Sequence, residues 1–292
     1  MADIVCHVQS LPSAGAGAVA NQRSISLGGT AFNQANIIRQ LGQPGFLFAP
    51  LGQGIFADFI RQELAERHIK VLDVQSKQDC GACICLVEPN GERTLLTLPG
   101  LERNYQAEWF DNIDAGRFSS ALISGYEIEG AGGDVIINFL EQHPDIELVY
   151  APGPSICNVG AEKTGRINAL NPIWHLNDLE AINYTKASTL AKAGSIIQTQ
   201  CNNLVIITEG ARGSSLFSNK GRLFAPTQEV RPVDTIGAGD AHVGCVIAAR
   251  NAGLDWQDAL EIANRISGAL CGIAGATFTD EEFAQLGIRL GH

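Results

Sequence analysis

Strand-length apolar runs alternate with segments of helical period through the middle of this chain: strand 121–124, helix 133–141, strand 146–150, strand 173–176, helix 187–197 and strand 204–208. Strands separated by helices pair in parallel, because each helix carries the chain back along the sheet, and the helices then cover both faces. The rhythm therefore predicts an α/β fold with a mostly parallel sheet. It extends upstream. Residues 31–41 read as a helix with Phe32, Ala35, Ile38 and Leu41 on its apolar side, closed by Gly42. A buried strand at 46–51, a helix marked by Phe56, Phe59, Ile60 and Leu64, and a strand at 69–74 follow.

One stretch breaks the rhythm. Ala82 to Val87, the turn Pro89-Asn90-Gly91 and Arg93 to Leu98 read as a β-hairpin on the Asn-Gly signal. With short strands at Ile4 to Gln9 and Ser24 to Leu27 it would make a small separate sheet. The intervening Gly15-Ala16-Gly17-Ala18-Val19-Ala20 matches a dinucleotide fingerprint. Pro12, the lack of a following amphipathic helix and the lack of an acidic residue some 20 positions on reject it as a nucleotide loop. Gly130 to Gly133 also precedes a helix, but nothing beyond a turn supports it.

The stretch Asp234-Thr235-Ile236-Gly237-Ala238-Gly239-Asp240 joins an extended segment, Gly221 to Val233, to a helix beginning near Ala241. Its glycines allow a tight turn that points consecutive N–H groups into one concavity at a helix N-terminus, where the macrodipole also favours an anion. Asp240 sits on the first helical turn, facing whatever that loop holds. A phosphate beside a lone carboxylate points to phosphoryl transfer, with the carboxylate taking a proton from the attacking hydroxyl. The same residues would also serve as an ordinary capped helix start.

Composition narrows the partners. A formal net charge of −11 argues against a nucleic-acid surface, and a nucleoside triphosphate would need a divalent cation rather than a basic patch. The eight cysteines lie mostly singly in apolar segments, as expected of buried thiols in a reducing compartment. Cys80, Cys83 and Cys85 lack the second pair that a zinc site needs. With no leader-like segment and no apolar run of about 20 residues, the expectation is a cytoplasmic protein that does not enter a membrane.

Two signatures extend the argument. Asp234 to Asp240 resembles the C-terminal signature of the ribokinase-like (PfkB) carbohydrate kinases, and Gly28-Gly29-Thr30-Ala31-Phe32-Asn33-Gln34-Ala35 resembles their N-terminal one. The closest likeness is to bacterial sugar kinases of unassigned substrate. The resemblance implies a three-layer α/β/α sandwich, a single domain over 1–292, with a small β-sheet lid from about 4–27 and 80–98 that also makes a homodimer surface. It implies ATP-dependent phosphorylation of a primary hydroxyl of a small sugar or sugar derivative, with Asp240 as general base and Gly237, Ala238 and Gly239 as anion hole. It places Asp3, Gly29, Asn33 and Glu127 on the sugar. Asn33 also persuades on chemistry, since its amide both donates and accepts on a helix otherwise apolar nearby.

Asn177 and Glu180 resemble the N-x-x-E motif that holds phosphate and the water of Mg²⁺. Their spacing equally fits a helix capping box. Thr208, Gly210 and Gly213 resemble the nucleotide loop. Asn264 falls where relatives contact adenine, though a solvent-facing helical residue fits as well. Asp234 and Ile236 are where family members bind a monovalent cation such as K⁺. Three departures matter. Thr30-Ala31 replaces the Lys-Gly of ribokinase, which puts ribose in doubt. His242 replaces a common aromatic and reads as packed rather than catalytic. A core strand that relatives carry before the counterpart of Asp3 is absent, for which a late start or a truncation is the expectation. A nucleoside kinase, and a catalytically silent sugar- or nucleotide-binding regulator, are the alternatives; a Rossmann dehydrogenase falls with the failed fingerprint.

Overall fold

Register organises the N-terminal strands. β1 (Ala2–Val8) pairs antiparallel with β2 (Ala20–Leu27), and helix α1 (Thr30–Gln40) follows. The computed structural model describes residues 1–291. They fall into two compact units, residues 1–32 with 46–104, and residues 33–45 with 105 onward.

In the first unit β3 (Pro50–Leu51), α2 (Ile55–Glu66), β4 (Leu72–Asp73), β5 (Ala82–Val87) and β6 (Arg93–Leu98) complete the elements. The hairpin falls where Asn90-Gly91 predicts, with Gly91 at φ +85. A four-stranded sheet runs β2-β1-β5-β6, with β1 and β5 parallel. Because side chains alternate with period 2, the register aligns Ile25, Ile4, Ile84 and Leu96 across one face. Ser26, Asp3, Cys83 and Thr97 align across the other. Gly28 is required beside Asp3, since a Cβ there would meet the Asp3 carboxylate at 1.8 Å. The strands expected at 46–51 and 69–74 shrink to β3 and β4, which pair only with each other. Leu47 is buried, yet no strand pairs with 46–49 among the described residues. An apolar run without a ladder partner does not become a strand.

The second unit contains β7 (Ser120–Ser124), α3 (Gly125–Glu129), α4 (Gly133–Gln142), β8 (Glu147–Ala151), α5 (Ala161–Ala169), β9 (Ile173–Asn177), α6 (Asp178–Thr185), α7 (Leu190–Cys201), β10 (Val205–Thr208), β11 (Gly213–Ser218), β12 (Gly221–Pro226), α8 (Ala238–Asn251), α9 (Trp256–Cys271) and α10 (Asp280–Gln285). Its six-stranded sheet runs β12-β11-β10-β9-β8-β7. β7 to β10 are parallel, as their intervening helices require, while β11 and β12 are added as antiparallel hairpin strands. Val149, Ile173 and Ile206 on one face join the cluster formed with Ile37 of α1, Leu41 just beyond it and the apolar residues of α8 and α9. The alternate residues, Tyr150, Trp174, Leu176 and Ile207, are buried on the other face. Helices α6 and α7 cover β9 and β10 there. These are the layers of an α/β sandwich, as the strand–helix rhythm predicts.

Candidate active site

Parallel strands deliver their following residues to one edge of a sheet, and ligands bind at that carboxyl edge. β7 hands on to Tyr126 and Glu127, β9 to Asn177 and Glu180, and β10 to Thr208. α8 brings Asp240.

The loop entering α8 is held from behind. The Asp234 carboxylate accepts from the backbone N–H groups of Ile236 and Gly275, each at 3.0 Å. Val233 N and Asp234 N donate to Cys271 O at 2.7 and 3.2 Å. Gly237 is the helix N-cap at φ +77, and a Cβ there would meet Ala276 O at 2.1 Å. Only glycine tolerates both the left-handed backbone and that approach. Gly239 faces open space, and Ala238 between them starts α8.

Asp240 is gripped from α1. Asn33 Nδ2 donates to its Oδ2 at 2.8 Å and Gln34 Nε2 to its Oδ1 at 3.3 Å. α1 approaches closely because residue 244 is glycine; a Cβ there would stand 2.8 Å from Gln34 O. Loss of hydration pushes the Asp240 carboxyl up to about 7, with the Asn33 and Gln34 bonds pulling it down and the Glu127 and Glu180 charges pushing it further up. A carboxylate poised there is matched to base chemistry near neutrality. Asn33 Oδ1 is buried without a hydrogen-bond partner, an acceptor left waiting beside the carboxylate.

Glu127 on α3 accepts a short hydrogen bond from Ser124 Oγ. Tyr126 beside it is half-exposed. Burial, then the charges of Asp240, Glu180, Glu129 and Glu127, raise its hydroxyl above the usual tyrosine range. Asn177 and Glu180 do form a capping box: Glu180 N donates to Asn177 Oδ1 at 2.7 Å, and Asn177 N to Glu180 Oε2 at 2.9 Å. Among the described residues no group of three or more His, Cys, Asp or Glu side chains is arranged to hold a metal. Asn177 and Glu180 supply polar oxygens that could hold the water of an ion such as Mg²⁺, which keeps its waters and takes its other oxygens from phosphate.

In the loop after β10, Thr208 Oγ1 donates to Leu176 O at 3.4 Å, and Gly210 and Gly213 both have positive φ. Glu209 between them is buried. It accepts from Ser215 Oγ, from Arg222 Nη2 at 2.6 Å and from Arg212 Nε at 3.2 Å. Burial alone would raise its carboxyl, but the Ser215 bond and the Arg222 charge outweigh it and hold the group below its ordinary value. Asn264 does not face solvent. It is 4% exposed, and its Nδ2 donates to Ala225 O at 2.9 Å and Pro226 O at 3.4 Å while Oδ1 takes a bond from His242. His242 is packed, as its position predicts, and bonds His175 at 2.9 Å.

Several of these groups escape a reading of the sequence. Gln34 carries a usable signal, since Asn33, Gln34 and Asn36 put three polar residues on a helix that buries them. His175 carries none, because its partner His242 lies far away in the chain, and Tyr126 and the Glu209 cluster carry none, because only the folded loops turn their neighbours toward them. Asp3 and Gly29 belong to the first unit. There loss of hydration raises the Asp3 carboxyl, with the N-terminal amine opposing it, and Gly29 has φ +99.

A family model described as pfkB family carbohydrate kinase matches residues 1–282. The chain belongs to the pfkB family of carbohydrate kinases. An uncharacterized sugar kinase of Escherichia coli (strain K12), YegV, is 30% identical over 277 residues, covering 94% of this chain and 86% of that protein. The crystal structure of ribokinase from Thermotoga maritima superposes with a TM-score of 0.81 at 20% identity, over 97% of this chain and 95% of that one. A nucleoside kinase from Burkholderia thailandensis, solved with inosine, gives 0.75 at 19% identity, over 99% and 95%. The enzyme is thus a kinase with a ribokinase-like fold. No helix among the described residues is long and apolar enough to cross a membrane.

Proposed function

We propose that this kinase transfers the γ-phosphoryl group of ATP to a primary hydroxyl of a small sugar or sugar derivative. Asp240 takes the hydroxyl proton as the oxygen attacks the γ-phosphorus, and the bond from that phosphorus to the β–γ bridging oxygen breaks to release ADP. The observation that carries this reading is Asp240 itself, a desolvated carboxyl near pKa 7 at the mouth of a glycine-built helix start. The exposed backbone at Gly239 leaves room for a phosphoryl group against the amides of residues 237–239. Asn33 supports it from the acceptor side. One end of its amide orients the base, and the other is the orphaned oxygen a sugar hydroxyl would satisfy. Glu127, and in the first unit Asp3 and Gly29, are proposed as further acceptor contacts.

Mg²⁺ supplies charge neutralisation on the phosphates, with Glu180 and Asn177 proposed to hold its water. Thr208, Gly210 and Gly213 are proposed to approach the nucleotide, and K⁺ at Asp234 and the Ile236 carbonyl is a candidate effector, tested by exchange for Na⁺. Asn264, whose amide is spent inside the protein, is proposed to support the nucleotide site from behind rather than to touch the adenine. The two units are proposed to act as one kinase domain. The row Ile25, Ile4, Ile84 and Leu96 supports a homodimer through the β-sheet of the first unit. Eight free cysteines suit the cytoplasm.

A nucleoside acceptor is the second reading, favoured by the half-exposed ring of Tyr126 among these carboxylates. A coupled ADP-release assay with MgATP and a panel of D-ribose, 2-deoxy-D-ribose, D-fructose, inosine and adenosine separates the two. Calorimetry showing no ATP binding, with or without Mg²⁺, would sink the kinase mechanism in favour of the silent regulator.

A further inference from the structure

Behind Asp240, whose carboxylate Asn33 and Gln34 hold from α1, helix α8 offers little polar grip on its orientation. Residues 241–249 are all buried, and apart from His242 they are Ala, Val, Gly, Cys and Ile. The close approach of Gly244 to Gln34 fixes where α8 meets α1, while the small apolar side chains on its other sides set rotation about the axis weakly. His242 is the exception. Its Nδ1 meets His175 Nε2 at 2.9 Å and its Nε2 meets Asn264 Oδ1 at 3.1 Å, with all three side chains 5% exposed or less.

The proton order of this chain follows from its far end. Asn264 Nδ2 faces the carbonyls of Ala225 and Pro226, which can only accept, so Oδ1 must be the atom turned to His242. His242 therefore carries its proton on Nε2 and accepts at Nδ1, and His175 donates from Nε2. His242 must be neutral to accept at Nδ1, and burial of both rings favours the neutral form of His175 as well. Burial first, then the neighbouring ring, holds His175 well below the usual histidine range, and burial lowers His242 to about 4.

The chain ends on the elements that carry the site. His175 lies two residues before Asn177 on the same face of β9. Asn264 ties the end of β12. Asp240 and His242 are two residues apart, about 200° around the helix, so bonds made behind α8 set where the carboxylate points in front. We propose that the His175–His242–Asn264 chain fixes the rotation of α8 and thereby aims Asp240, with His242 a positioning residue. The functional consequence rests on Asp240 being the base; the aiming itself does not.

The test therefore begins without any acceptor. Carbon-13 NMR of labelled aspartate side chains in the full protein follows the Asp240 titration, whose other close groups are Asn33, Gln34, Tyr126, Glu127 and Glu180. His242→Phe keeps the bulk but leaves His175 and Asn264 unsatisfied. The turn then swings toward water, and the Asp240 midpoint falls below about pH 6. His242→Gln retains a donor and an acceptor and keeps the midpoint near that of the wild type. His175→Leu/His242→Phe removes the orphaned donor, so it regains part of the lost Tm without regaining the midpoint. With MgATP and the best acceptor of the panel, His242→Phe loses at least about tenfold in kcat, since a misplacement of about 1 Å can cost about 10²-fold. KM for ATP stays within about twofold. An unmoved midpoint in His242→Phe, or a double variant that recovers Tm and midpoint together, overturns the proposal. If the single variant does not fold, the Gln and double variants make the same comparison. A wild type inactive on the whole panel would remove the phosphotransfer reading, while the titration still judges the aiming.

Discussion

Asp240→Asn should make the protein more stable at pH 8 while disabling it. The Asp240 carboxyl sits at about 7 in the folded chain against an ordinary 3.8. At about 1.36 kcal/mol per pH unit, that difference of about 3 sets a ceiling of about 4 kcal/mol on the cost of ionising it in place. Asp240 keeps a partly open side, so water screens some of this, and about 2 kcal/mol is the expected gain. For a chain of 292 residues, with an unfolding entropy of about 2.1 cal/mol/K per residue, that corresponds to about 3 °C in Tm. The sign fixes the pH window. A group whose folded pKa is raised stabilises the fold fully below its unfolded pKa, and the contribution is lost as pH rises through the folded value. The advantage of Asn over Asp should therefore be absent near pH 4, grow up to about pH 7 and then level off. Hydrogen bonding does not reverse this. With the Asn33 amide turned over, its Oδ1, which has no partner in the wild type, accepts from the new Nδ2 at residue 240 while Gln34 still donates to the retained oxygen. Differential scanning fluorimetry at pH 5, 6, 7 and 8 measures the trend, and kcat on the best acceptor should fall by about 10²–10⁴-fold. A Tm difference that does not change with pH, or a less stable variant at pH 8, would refute the desolvation argument. Near-normal turnover would remove Asp240 from catalysis.

Asn33→Ala should raise KM for the acceptor about tenfold, by losing a hydrogen bond of roughly 1.5 kcal/mol. It should also move the rising limb of kcat/KM to higher pH, because the Asn33 donor now lowers the Asp240 pKa; an unmoved limb would show that the bond is absent in solution. Gly237→Ala combines φ +77 with a contact of 2.1 Å to Ala276 O and should cost about 1–3 kcal/mol in chemical denaturation, with turnover lost alongside. Leu96→Asp places a charge in the exposed apolar row of the first unit, where Leu96 is 57% exposed. Sedimentation should show a dimer for the wild type and a monomer for the variant, and a monomeric wild type would remove the dimer proposal.

What the sequence reveals divides along the range of the interactions. Helix and strand periods, the Asn90-Gly91 turn and the Asn177–Glu180 capping box are local, each decided within about four residues, and each forms where its pattern lies. Local pattern overreaches at 46–51, where apolar residues mark burial correctly but a strand also needs a neighbour. Asn264 shows the converse. A polar residue on a helix is taken for a surface or ligand group until the carbonyls of β12 and the ring of His242 are seen to use all of its amide. Gln34 was open to detection, since a helix with Asn33, Gln34 and Asn36 buried must find partners for them. The Glu209–Ser215–Arg222 cluster was not, because Arg212 and Ser215 lie near Glu209 in sequence but Arg222 reaches it only once β11 and β12 have paired.

The two aspartates of one short loop show how similar sequence can serve different ends. Asp234 is held by backbone N–H groups, which cannot turn away without unravelling the loop. Asp240 is held by the buried side-chain amides of Asn33 and Gln34, whose bonds can adjust without moving the backbone. The first arrangement builds a rigid start for α8. The second lets the environment of the base respond to an acceptor. A hydroxyl that donates to Asn33 Oδ1 would polarise that amide and strengthen its Nδ2 bond to Asp240, favouring the ionised carboxylate when there is a proton to take. Without the acceptor, Asp240 is free to remain protonated near neutrality, which avoids a buried charge. Acceptor binding and base ionisation would then be linked through one carboxamide, so saturating acceptor should lower the Asp240 midpoint in the wild type and leave it unmoved in Asn33→Ala.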